Sequence, residues 1–312
     1  MPSGLGIARE GIIAALDRSR LEELEELNRA HHPRRRLSLL LSWLGGWLGA
    51  LPRAEAEPLP DVGSGEVGLT FGGHATVLVR FPSLSVLVDP LFARRLGLIP
   101  RAVQPGLTSG EVTDVDLILV SNAASDHLHR PSLARLPRAA TLVVPPRCAE
   151  LVSDLGFARV VELAVGQSFR HRGVDVASTP VRGRPGGRGA CGWMLRSGDE
   201  PGVFICTASG YFSGFLEIGQ RYQPDVAALP IGGYVPRALR SENMSPLDAI
   251  YAFEDLGARM LVPVRHGAFA LSYETLGEPL GWMRELVAER ELQRYVTFLA
   301  AGASAKFVRP AR

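Results

Sequence analysis

The adjacent pair Asp126-His127 carries residue types able to do chemistry. A carboxylate that orients an imidazole makes an acid/base pair. The pair closes the turn Ser121-Asn122-Ala123-Ala124-Ser125-Asp126-His127-Leu128, directly after the apolar run Val115, Leu117, Ile118, Leu119 and Val120. A short continuous apolar run reads as a strand buried on both faces, and the polar turn at its end is a usual mounting for reactive groups. Neighbours in sequence rarely orient one another unaided, and no Ser or Cys nucleophile stands in a recognisable elbow motif. A second charged group, Arg182, Arg184 and Arg188, lies in the glycine-rich stretch PVRGRPGGRG. Together with Arg265 these arginines suit a cleft for a phosphate or carboxylate, with glycines that let the backbone come close. Their plain reading is a solvated loop.

The elements that must position these groups are legible from periodicity. Val67 to Phe71, Ala75 to Phe81 and Leu84 to Val88 are short β-branched and apolar runs separated by Gly-Gly and Pro-Ser, the pattern of an antiparallel meander. Further strands are expected at Leu142 to Val144, Val160 to Leu163, Ser168 to His171, Val174 to Ser178, Trp193 to Arg196, Val203 to Thr207, Val226 to Leu229 and Met260 to Val264. Cys148 to Leu155 reads as a helix ending at Gly156. Ser245-Pro246-Leu247-Asp248 reads as a capped helix start, with the helix stopping at Gly257.

With 312 residues, 46% of them hydrophobic, the chain can bury a large core, and a formal charge of +2 gives no reason to expect nucleic acid. Cys148, Cys191 and Cys206 are odd in number and lack C-x-x-C spacing, so buried reduced thiols of a cytoplasmic protein are expected rather than disulfides or a thiolate metal site. Ahead of the strands, residues 7–30 read as an amphipathic helix and 37–51 (LSLLLSWLGGWLGAL) as a second, arginine-flanked one. The latter is shorter than the roughly 20 residues a spanning helix needs. It is expected to pack on the main domain or on a homodimer or protein partner, with attachment to a membrane surface through Trp43 and Trp47 as the alternative. The division is a helical extension and linker over 1–60 and a main domain over 61–312.

From about Glu66 to Phe298 the chain resembles metallo-β-lactamase-fold hydrolases, in the branch that holds N-acyl phosphatidylethanolamine phospholipase D and the L-ascorbate-6-phosphate lactonases. The resemblance runs through Gly73-His74-Ala75-Thr76, Val88-Asp89-Pro90, Ser209-Gly210-Tyr211, Pro230-Ile231-Gly232-Gly233-Tyr234, Met244-Ser245-Pro246 and Gly267-Ala268-Phe269, in the order the branch has them. It implies an α+β fold, a four-layer αββα sandwich of two mixed β-sheets flanked by helices. It also implies two metal ions, held at positions that are Asn122, Ala124, Asp126, His127, Gly183, Ala208 and Arg265 here, of which only Asp126 and His127 keep a ligand type.

A catalytic zinc site needs about three protein ligands and an open position, so the expectation is a chain with no metal cofactor. His266, one residue beyond Arg265, would face the other way on a strand. His129 and His171 read as ordinary surface or core histidines. His74 and Asp89 are expected to brace the turns around the old site, and Arg265 to pair with Asp126, which would otherwise be a costly buried charge. The functional expectation is a non-catalytic binding, regulatory or assembly protein rather than an enzyme. Its cleft would take an anionic small molecule or lipid through Asn122, Arg182, Arg184, Tyr211, Arg265 and His266. The alternative is an active phosphodiesterase or lactonase with an altered zinc or manganese site, using Asp126 and His127.

Overall fold

The computed structural model describes residues 51, 59–183 and 189–309. The two expected N-terminal helices, Leu51 aside, most of the linker, and Arg184 and Arg188 lie outside the described residues. No helix among the described residues is long and apolar enough to cross a membrane.

Two mixed sheets form the body. The first has the order β15-β1-β2-β3-β6-β7-β8. It is built from β1 (Glu66–Gly73), β2 (Thr76–Arg80), β3 (Ser85–Val88), β6 (Leu117–Leu119), β7 (Thr141–Val144), β8 (Arg159–Glu162) and β15 (Ser304–Val308). Strands β1 to β3 are the expected antiparallel meander, whereas β3, β6, β7 and β8 run parallel. The second sheet, β14-β13-β12-β11-β10-β9, joins β9 (Ser168–His171), β10 (Val174–Thr179), β11 (Gly192–Ser197), β12 (Val203–Ile205), β13 (Val226–Pro230) and β14 (Met260–Val264). A hairpin of β4 (Arg95–Leu96) and β5 (Ile99–Pro100) stands apart. The helices are α1 (Arg130–Leu133), α2 (Gly214–Tyr222), α3 (Pro246–Leu256) and α4 (Glu278–Glu289).

Side-chain alternation explains why the central strands are apolar throughout. Along β3 and β6, Val86, Val88, Leu117 and Leu119 enter the core between the sheets, while Leu87 and Ile118 join the core on the outer face of the first sheet. In the second sheet Val203, Ile205, Val226 and Ala228 point inward, and Phe204, Ala227 and Leu229 pack outward with residues of α2, α3 and α4. Each strand thus serves two cores, as a period of two requires when both faces are covered. The result is the αββα sandwich expected from the sequence.

Helix α3 starts as read. Ser245 Oγ accepts a hydrogen bond from Asp248 N at 3.2 Å, Asp248 Oδ2 accepts one from Ser245 N at 2.8 Å, and Gly257 ends the helix at φ 59°. The expected helix over Cys148 to Leu155 is instead two separate 3₁₀ turns, Ala149–Leu151 and Ser153–Leu155. The segment lacks a side-chain cap at Cys148, and eight residues do not repay the cost of nucleating an α-helix.

Candidate metal centre

The site forms where three strand ends and one turn meet. Val88 pairs with both Val77 and Leu119, so the turn after β1, the end of β3 and the end of β6 converge. The end of β14 is tied in by a backbone hydrogen bond from Arg265 N to His74 O, 2.6 Å long. The elements deliver His74, Asp89, Asp126 with His127, and Arg265. Three of these residues, His74, Asp89 and Arg265, have left-handed backbones with φ of 57°, 46° and 56°. Such conformations cost of order 1–3 kcal/mol each in a non-glycine residue and concentrate at functional sites.

Two glycines make room for this arrangement. A Cβ on Gly73, itself at φ 86°, would come 2.9 Å from Arg101 Nη2, and one on Gly232 would come 2.6 Å from the Arg265 carbonyl oxygen. Arg101 is a fully buried strut: its Nη1 donates to Leu91 O at 3.0 Å, and its guanidinium lies 5.0 Å from the Phe269 ring centre. Burial lowers its pKa to about 10. Phe269 in turn meets the His74 ring edge-on at 5.4 Å, fixing it from the side.

At the centre is Asp126 Oδ2. It lies 3.0 Å from His74 Nε2, 3.4 Å from His127 Nε2 and 3.2 Å from Arg265 Nη2. The pairing of Arg265 with Asp126 expected from the sequence is therefore present. The potential ligand atoms of His74, Asp126 and His127 all lie within 4.8 Å of one another, and all three residues are buried. Behind them, Asp89 is completely buried and accepts hydrogen bonds from Ser121 N (2.7 Å), Ser121 Oγ (2.5 Å) and Thr207 Oγ1 (2.6 Å). Asp89 Oδ2 is also 2.8 Å from His127 Nδ1.

These contacts fix the charges. Burial by itself would raise the Asp126 pKa, but His127, the hydrogen bond from His74 and the Arg265 guanidinium hold it well below the carboxylate range. Burial pushes His74 down to about 4, keeping it neutral. Burial also works against a charge on His127, yet Asp126 and Asp89 outweigh it and raise its pKa.

A divalent cation fits this donor set. His127 Nδ1 is engaged by Asp89, and its buried Nε2, which has no hydrogen-bond partner, points at Asp126 Oδ2 3.4 Å away, where a divalent cation would take the place of the ring proton. The neighbouring carboxylates favour positive charge at this point, which a proton or a metal ion can supply. Two imidazoles and a carboxylate are a recurrent ligand set for catalytic zinc and non-haem iron.

A cleft of about 490 Å³ opens over the cluster, lined among others by His74, Asp126, Asn243, Arg265, His266 and Phe269. His266 lies against Phe71, ring centres 5.2 Å apart, and burial lowers its pKa to about 4. Other sequence candidates stand away from the lining. Asn122 Oδ1 accepts from Ala124 N within its own turn, Arg182 donates to Tyr211 O, and Tyr211 Oη donates to Asp255.

The fold and the buried cluster at its strand ends define the metallo-β-lactamase class, and the family described as "Beta-lactamase superfamily domain" matches residues 85–266. The chain belongs to that family. It is 29% identical to a UPF0173 metal-dependent hydrolase from Caldivirga maquilingensis over 63% of this chain and 81% of that one. A UPF0173 metal-dependent hydrolase from Rubrobacter xylanophilus is 28% identical over 73% of this chain and 93% of that one. Among solved structures, isothiocyanate hydrolase from Delia radicum gut bacteria superposes with a TM-score of 0.66 at 18% identity, covering 77% of this chain and 99% of that one.

These findings overturn two expectations from the sequence, that the chain is a non-catalytic protein and that it takes no metal cofactor. The relatives bear the name of metal-dependent hydrolases, and a third ligand type joins Asp126 and His127. That residue is His74. From the sequence His74 is expected only to brace a turn, since its retained motif is not among the positions the resemblance gives to metal ligands. The retained Gly73-His74-Ala75-Thr76 motif was the available signal.

Proposed function

We propose that this chain is a metal-dependent hydrolase in which His74, Asp126 and His127 hold a single divalent cation. The observation that carries this reading is the convergence of His74 Nε2 and His127 Nε2 on Asp126 Oδ2 at the floor of a cleft. The names of the relatives support it. A divalent cation held there supplies Lewis acidity, polarising a substrate oxygen and making water nucleophilic near neutral pH.

The chain's own residues do the rest. Asp89 orients the His127 ring through Nδ1 so that Nε2 points at Asp126, and the Ser121 and Thr207 hydroxyls hold Asp89 in turn. Phe269, with Leu96, Ile99 and Leu271 on the cleft wall, keeps water from one side of the centre. The resemblance to the phospholipase D and ascorbate-phosphate lactonase branch favours a phosphodiester or lactone as the bond cleaved.

The test is turnover of bis(p-nitrophenyl) phosphate and of a panel of lactones by protein loaded with zinc, manganese or iron. Metal-dependent turnover that His127→Ala and Asp126→Ala abolish is expected. Turnover that survives both substitutions, or that appears equally in chelator, would overturn the reading.

A further inference from the structure

We propose that Arg265 is the substrate-gripping residue of this centre. Its guanidinium binds an anionic oxygen of the substrate in the place where a two-metal site would use its second cation. The proposal rests on the reading of His74, Asp126 and His127 as the metal centre, and it narrows the substrates to those that already carry negative charge.

Four observations converge on this role. Arg265 stands at the end of β14 with a left-handed backbone, φ 56°, anchored by its N–H to His74 O, so its position is imposed by the fold at some cost. Its Nη1 donates to Asn243 Oδ1 and its Nη2 to Asp126 Oδ2, which clamps the planar group from two sides. Its Nε is buried and has no hydrogen-bond partner. Finally, Arg265 lines the cleft, where it is the arginine or lysine among the described lining residues.

A guanidinium that served only to neutralise Asp126 would need neither the Asn243 clamp nor a place on the cleft floor. Arginine stays charged at any working pH and presents a fork that matches phosphate and carboxylate oxygens. Asp126 and Asp89 are the carboxylates that touch the cluster. Against Arg265 and one dication, they leave the centre with net positive charge. A second dication would meet the fixed charge of Arg265 at short range. Among the described residues, His74, Asp126 and His127 form the one group of three such side chains able to hold a metal.

Calorimetric titration of the full chain tests this, first with manganese alone and then with methylphosphonate on the manganese-loaded protein. The wild-type chain is expected to bind one manganese. Arg265→Gln should still bind one, ~10-fold more tightly because a neighbouring positive charge is gone. It should bind methylphosphonate roughly 10- to 100-fold more weakly, the value of a lost charge-assisted hydrogen bond. Arg265→Lys, which keeps the charge without the fork, should fall between the two and serves if the Gln variant does not fold.

Unchanged phosphonate affinity in Arg265→Gln would overturn the proposal, as would two manganese ions per wild-type chain. Weakening of both ligands together would also overturn it, because it would mark Arg265 as structural only. If no manganese binds yet phosphonate binding still depends on Arg265, the anion grip stands and the metal-centre reading falls.

Discussion

Asp89 Oδ2 lies 2.8 Å from His127 Nδ1, and neither side chain is more than about 1% exposed. This contact converts an adjacent Asp-His pair into an oriented one. Asp126 beside His127 in sequence does not set the ring; Asp89, 38 residues earlier, does. Asp89 is held by three further donors, so its substitution is a sharp probe of the centre. Asp89→Asn keeps the shape but sets an amide N–H against groups that donate. Loss of about 3 kcal/mol of stability is expected, the scale for breaking a buried charged network, together with a roughly 10- to 100-fold loss of metal affinity. Denaturant unfolding and metal titration of the same sample check both. Near-wild-type values in both would remove Asp89 from the account.

Metal binding should be visible as stability. A ligand that binds only the folded state at about 100 times its dissociation constant adds about 2.7 kcal/mol. For a domain of this size that is a rise of roughly 5–10 °C in melting temperature. Thermal melts with and without zinc or manganese should show this rise and its reversal by chelator. His127→Ala and His74→Ala should show no shift, and an equal shift in those variants would place the metal elsewhere.

Asn243 holds Arg265 through its Oδ1 and is itself tied to Leu239 O at 2.9 Å. Asn243→Ala should leave metal content unchanged while weakening phosphonate binding by roughly tenfold, since it frees the guanidinium without removing it. Calorimetry on the variant measures this. Wild-type affinity would mean that Arg265 needs no clamp.

The thiols should be silent. Cys148, Cys191 and Cys206 are buried and form no disulfide, and burial pushes Cys206 up to about 12 and Cys191 higher still. Thiolates are the reactive form. A maleimide or disulfide reagent should label none of the three in the native protein and all three in denaturant. Rapid native labelling of any one would show that the core holding it opens.

The periodicity of Val, Leu and Ile located most strands because each alternates between two cores, a local pattern with a global cause. The Ser245 capping box is likewise a contact between residues three apart, and it was legible for that reason. The 3₁₀ turns after Cys148 were not, because composition does not reveal a missing cap. At the site, Asp126, His127 and the Arg265 pairing followed from the turn and from charge balance. The role of His74 did not follow, because a position compared motif by motif carries no information about which side chain meets it across the sheet. Asn122 came from a replaced metal position, Arg182 from the glycine-rich stretch and Tyr211 from a matched motif, and their hydrogen bonds go to nearby backbone or to Asp255.

The most direct test of the central claim is elemental mass spectrometry of the full chain, purified after growth with zinc, manganese and iron and compared with Asp126→Ala prepared in parallel. About one divalent metal ion per wild-type chain and almost none in the variant is the predicted result. A wild-type chain free of metal under all three conditions would contradict the account.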